Sequence, residues 1–147
     1  YLIFCHEWLQ IGNGTICLMQ LSDDLTHPVS EPKILFSAKD AKWPIAFQGK
    51  NNYVTDGPFI IQQKDGLEMI WSSYSKTGYA IGVCHSKSIK GPWIQEDQPI
   101  YSEDGGHAMV FEKDGQKMMT FHAPNTFDGN ERLVLYPYHS KMEPIHH

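Results

Sequence analysis

Three kinds of side chain in this sequence suit chemistry and recur where short apolar runs begin or end. Asp56 opens the triplet Asp56-Gly57-Pro58 and Glu7 follows the apolar run Tyr1 to His6, and either carboxyl can move a proton. His6, His107, His122 and Ser73 stand at comparable run ends, with side chains that hydrogen-bond to hydroxyl groups. Trp8, beside Glu7, offers a flat apolar face. Together they suit proton transfer at a substrate that carries hydroxyls on its rim and apolar C–H groups on its faces.

Each also has a plainer explanation. Asp-Gly-Pro after Thr55 is good turn chemistry, with the Asp bonding its own backbone. Glu7 reads equally as a solvated carboxylate at a strand end, and His107 as a simply hydrogen-bonded histidine. Trp71 and Trp93 fall inside strand-like runs and read as core, whereas Trp8 and Trp43 lie near loops, free to stack on a ring. Asn125 and Arg132, near the last hairpin, read as loop residues in water that also lie within reach of a hydroxyl.

The elements that must position these groups are strands. Nearly every apolar run is short, rich in β-branched or aromatic residues, and bounded by Gly, Pro, Asn or Asp. This pattern predicts an all-β chain with strands at Tyr1–Glu7, Thr15–Leu21, Lys33–Ser37, Phe59–Gln63, Glu68–Tyr74, Tyr79–His85, Trp93–Glu96, Ala108–Lys113, Lys117–His122 and Arg132–Tyr138. Asp40 to Pro44 is the one helical candidate, and Pro44 limits it to a turn.

Composition bounds the rest. The 147 residues are 41% apolar and 20% charged, a balance that folds. The net charge of -5 is scattered, with no basic run for a phosphate backbone, so nucleic acid is not an expected partner. No run approaches the roughly 18 apolar residues of a membrane span, and a membrane partner is not expected either. Cys5, Cys17 and Cys84 sit far apart in apolar runs and read as small buried thiols. Tyr1 to Cys5 reads as mid-strand, which predicts further sequence upstream; His146 and His147 are either native or the stub of a purification tag.

A repeat links the strands. DGPFIIQQKDGLEMIWSSYS, from Asp56, matches GHAMVFEKDGQKMMTFHAP, from Gly106: a Gly, an apolar strand, a Lys-Asp-Gly turn, a second apolar strand, then small polar residues. TGYAIGVCHSKS and NERLVLYPYHS add a third strand to each, and GPWIQEDQPIYS a fourth to the first; YLIFCHEW, GTICLMQLSDDL and EPKILFS fit the same scheme from its second strand onward. Four-stranded antiparallel units repeated radially make a β-propeller, and about two and a half blades are visible. Such a piece leaves sheet edges open, which predicts either missing N-terminal blades or a second copy of the chain as a partner.

VTDGPFII, the strand ending in Ser-Ser-Tyr, GYAIGVCHS, the GPW strand, and then GGHAMVF and MMTFHAPN resemble the fourth and fifth blades of glycoside hydrolase family 43. The resemblance runs from Tyr1 to about Tyr138 and implies a five-bladed propeller. Blade three, from its second strand, would be 1–39, blade four about 52–102 and blade five about 105–139. It further implies an inverting glycosidase acting on arabinose- or xylose-type linkages, galactofuranose included, of a secreted or periplasmic bacterial type. An Asp base, a tuning Asp and a Glu acid serve the family; the stretches that carry the first two are not in this sequence, and Asp56 stands where the acid Glu is usual, one methylene shorter. Glu7 is the alternative acid. The resemblance also places His107 near the propeller axis, beside a Ca²⁺ held partly through water; Ca²⁺ prefers oxygen ligands.

Strand polarity gathers these residues. In an antiparallel pair the start of the first strand and the end of the second share a rim. That puts Asp56 beside Ser72, Ser73 and Tyr74, and His107 beside His122, with His6, Glu7 and Trp8 at the same rim of the first unit. Carboxylates, an aromatic face and hydroxyl-binding groups are what a sugar site needs, with an oligo- or polysaccharide as partner.

Overall fold

β-Branched and aromatic runs separated by turn residues become, in the computed structural model, ten strands in three antiparallel sheets, described over residues 1–49 and 51–140. His146 and His147 lie outside the described residues. The first sheet pairs β1 (Leu2–His6), β2 (Thr15–Met19) and β3 (Lys33–Ser37) in order. The second pairs β4 (Asp56–Gln63), β5 (Gly66–Ser75), β6 (Gly78–Ser86) and the short β7 (Ile94–Gln95). The third pairs β8 (Gly106–Lys113), β9 (Gln116–Ala123) and β10 (Arg132–Pro137). Each expected strand is present, with ends displaced by a few residues at most.

The repeat holds strand for strand. Asp56 pairs with Ser72 and the next pair is Phe59 with Ile70; Gly106 pairs with His122 and the next pair is Met109 with Thr120. Both inner strands therefore break register at the same place, two residues from their start. The turns differ from expectation. Lys64-Asp65 joins β4 to β5, whereas Asp114-Gly115 joins β8 to β9, so the two Lys-Asp-Gly motifs are one residue out of step. Pairing is set by the buried faces of the strands, and the turn residues accommodate it. Asp114 and Gly115 both have positive φ, 52° and 75°, the requirement of a tight type I′ hairpin.

The helical expectation shifts as well. A 3₁₀ turn occupies Ala38–Asp40, where the Ser37 N–H donates to Asp40 Oδ2 at 2.7 Å, and does not run on to Pro44. A single helical turn, α1 (Trp8–Ile11), follows Glu7 and ends where the Gly12 N–H donates to the Trp8 carbonyl at 2.7 Å. None of the described helices is long and apolar enough to cross a membrane.

Two apolar layers join the sheets. Ile16 and Phe36 of the first sheet meet Met69 and Trp71 of the second, with Trp43 and Trp93 in the same cluster. Trp43 is thus not a loop aromatic awaiting a ligand: it is buried, its ring 5.0 Å from that of Trp71. On the other side Ile61, Ile70, Ile81 and Val83 meet Ala108, Met119, Phe121 and Tyr138. The three cysteines are free, and burial pushes the Cys84 thiol well above its ordinary value, so it remains an inert core side chain. The third sheet leaves Met109, Leu133 and Leu135 exposed, the second of these by 73%.

Candidate active site

Asp56 begins β4 at the rim where β5 ends and β6 begins. Its Oδ2 accepts a hydrogen bond from the Tyr79 hydroxyl at 2.9 Å. Tyr79, the second residue of β6, is buried, and burial, with the Asp56 charge behind it, raises its pKa far above the ordinary phenol value. The phenol therefore stays protonated as a donor. Tyr74, shifted upward by burial in the same sense, packs 5.2 Å from Tyr79.

His107 reaches the same place from β8. Its backbone lies in the left-handed region, φ 60°, and its N–H donates to Ser72 Oγ at 2.9 Å. Its ring rests against Gly57, φ 50°, where an added Cβ would stand 2.9 Å from the imidazole. A side chain other than hydrogen at Gly57 thus meets both a strained backbone and the His107 ring. Gly57→Ala is expected to lose about 1–2 kcal/mol in denaturant unfolding and to lower activity by displacing His107.

Asp56, Tyr74, Tyr79, His107 and His122 line a cleft of about 290 Å³ with Glu7, Trp8, Phe47 and Asn125. Ring contacts run across it: Trp8 to Phe47 at 5.5 Å, Phe47 to Tyr74 at 4.3 Å, and Tyr79 to His122 at 5.9 Å. Asn125 ties the far side down, donating from Nδ2 to the Tyr74 hydroxyl at 2.9 Å and meeting His122 Nε2 through Oδ1 at 2.8 Å. An ionisable carboxyl held by a neutral phenol, imidazoles and aromatic walls can bind a polyhydroxylated ring and deliver a proton to it.

The rim argument therefore brings Asp56, Glu7, Trp8, His107 and His122 together, and two expected residues stand apart. Ser73 is fully buried and does not line the cleft: Ser72 faces β8, and alternation along the strand turns Ser73 toward the first sheet. His6 is exposed and does not line the cleft. Arg132 bonds the carbonyls of Gly129 and Glu131 in its own loop. Asn125 is not a solvated loop residue, since both ends of its amide are hydrogen-bonded. Tyr79 and Phe47 were missed. The signal for Tyr79 was present: the start of the third strand shares the rim with the end of the second.

Among the described residues no three His, Cys, Asp or Glu side chains stand close enough to share a metal ion.

The chain belongs to glycosyl hydrolases family 43, whose model matches residues 1–139. Its three sheets are about two and a half blades of that family's five-bladed β-propeller. It is similar to an endo-arabinase from Bacteroides thetaiotaomicron VPI-5482, at 42% identity and TM-score 0.86, over 95% of this chain and 51% of that one. A thermostable family-43 glycoside hydrolase matches at 21% identity and TM-score 0.71, over 88% of this chain and 46% of the other. An exo-1,5-α-L-arabinanase from a bovine ruminal metagenomic library matches at 27% identity and TM-score 0.60, over 84% and 46% respectively. The chain thus spans about half the length of these structures. No curated protein sequence gives a match.

Proposed function

We propose that the chain is the C-terminal half of the propeller of an inverting glycosidase that cleaves arabinose- or xylose-type linkages, with arabinan the first substrate to test. The observation that carries this is the Asp56 carboxyl, held on one oxygen by the buried Tyr79 phenol inside an aromatic cleft. The 42% identity to an endo-arabinase supports arabinan over xylan. Asp56 is the general acid: its second oxygen carries no hydrogen bond among the described residues and is left to face the glycosidic oxygen. His107 and His122 bind hydroxyls, while Trp8 and Phe47 cover apolar ring faces. The base that activates water comes from outside this chain and stands about 6.5–9.5 Å from the acid, as inversion requires.

The rest of the ring, or a second copy, covers Met109, Leu133 and Leu135. A polymer does not enter a cell, so the enzyme is exported. Ca²⁺ enters this reading as a water-ligated ion beside His107, and none of the steps above runs through it.

Release of reducing sugar from linear arabinan by the full-length protein tests the proposal. One observation favours a second reading: Asp56 is one methylene shorter than the usual acid, which suits a propeller that binds glycans without cutting them. Oligosaccharide binding with no hydrolysis over long incubation would establish that alternative. Within the glycosidase reading, Tyr79→Phe is expected to lower kcat/KM about tenfold, the effect of losing the one hydrogen bond that orients the Asp56 carboxyl, as read by initial rates on arabinan.

A further inference from the structure

Phe127 has no task in the reading above. Its ring is 88% exposed, more than any other large hydrophobic side chain described, yet it lines the cleft with Trp8 and Phe47. It stacks on no other ring among the described residues, unlike the aromatic wall that runs from Trp8 to His122. Nor does it hang on a loose loop. Upstream, the Asn125 N–H donates to Asp104 Oδ2 at 3.2 Å, in addition to the two amide contacts with Tyr74 and His122. Downstream, Asp128 Oδ2 accepts from Asn130 Nδ2 at 2.8 Å, and Arg132 Nη1 donates to the Gly129 carbonyl at 3.1 Å. Phe127 is therefore presented to water between two pinned stretches. An apolar ring held out in this way lacks its packing partner.

We propose that Phe127 is a sugar-stacking residue at the mouth of the cleft, receiving the C–H face of a ring of the glycan other than the one whose bond is broken. This rests on the glycosidase reading and deepens it: the substrate is an oligo- or polysaccharide that extends past the β9–β10 loop, not a single terminal sugar. A wall of rings inside the cleft suits the reacting sugar, and the separate exposed ring suits a neighbour along the chain. Full burial of a Phe ring corresponds to roughly a 10- to 100-fold change in an equilibrium constant, which sets the size of the expected effect.

The test uses the full-length protein with Phe127→Ala and Phe127→Trp on long arabino-oligosaccharides and on an aryl arabinofuranoside. Phe127→Ala should raise KM for the long substrates about tenfold with kcat unchanged, leave the aryl glycoside and Tm unaffected, and be rescued by Phe127→Trp. An unchanged KM on long substrates overturns the proposal. So does an equal loss on all substrates with a lower Tm, which would make Phe127 a packing residue against the rest of the ring. Should the wild type hydrolyse none of them, the glycosidase reading fails by itself, and calorimetric binding of the same oligosaccharides still decides the stacking role: weaker binding by Phe127→Ala upholds it, equal binding overturns it.

Discussion

Asp56→Asn in the full-length protein is expected to slow hydrolysis of arabinan by about 10²- to 10⁴-fold, the range of a lost general acid, while oligosaccharide affinity changes little. Asn keeps the volume of Asp and still accepts the Tyr79 hydroxyl through its carbonyl oxygen, so the cleft keeps its shape. What it loses is a transferable proton on the oxygen that faces the substrate. Glu7 is the comparison. It stands at the N-terminal cap of α1 and makes no side-chain capping bond. Glu7→Gln should therefore slow the reaction by less than about tenfold. Initial rates and calorimetric affinities for the two variants decide between the carboxylates. If Glu7→Gln produced the larger loss, the acid would have to be reassigned to Glu7.

The second large effect concerns stability. Glu68 is completely buried in β5, and its carboxylate collects donors from distant parts of the chain. Oε1 accepts from the Tyr138 hydroxyl and from Gln63 Nε2 at 3.5 Å; Oε2 accepts from the Ser140 hydroxyl at 2.8 Å and lies 3.5 Å from His85 Nδ1. His85 in turn reaches Glu96 with Nε2 at 2.8 Å. The carboxylate thus fastens the end of the third sheet to the second. Glu68→Ala removes a buried carboxylate that four side chains share and should cost about 3–5 kcal/mol, a large share of the roughly 5–15 kcal/mol that holds a domain together. Urea unfolding measures it; a loss under about 1 kcal/mol would mean water replaces the carboxylate without penalty. Glu68→Gln, which keeps an acceptor, should cost less. Glu68 lies four residues along β5 from Ser72, the partner of Asp56, about 13 Å away. Activity per folded molecule should therefore be unchanged in both variants.

The contrast between these two carboxylates shows what the sequence can reveal. Asp56 was legible because it sits at the end of a strand, and antiparallel pairing alone assigns strand ends to a rim. Glu68 was not, because a Glu opening an apolar run looks like a solvated edge, and its partners Tyr138 and Ser140 lie 70 and 72 residues away. Ser72 and Ser73 show a second limit. Both are small and polar, so alternation carries no phase at that point, and only the packed sheets reveal that Ser72 faces β8. Trp43 was misread for a related reason: its neighbours have loop composition, but its burial is made by Trp71 in another element. The strands themselves were readable because burial on a face imposes a local pattern; the roles of individual side chains depend on contacts that no local pattern records.

If this chain forms the acid side of an inverting glycosidase cleft, the sugar it helps release carries the inverted anomeric configuration. The most direct test is to follow full-length protein on linear arabinan by proton NMR and record the anomeric configuration of the sugar as it is first released. The expected result is hydrolysis with inversion. Hydrolysis with retention, or glycan binding without any release of sugar, would contradict it.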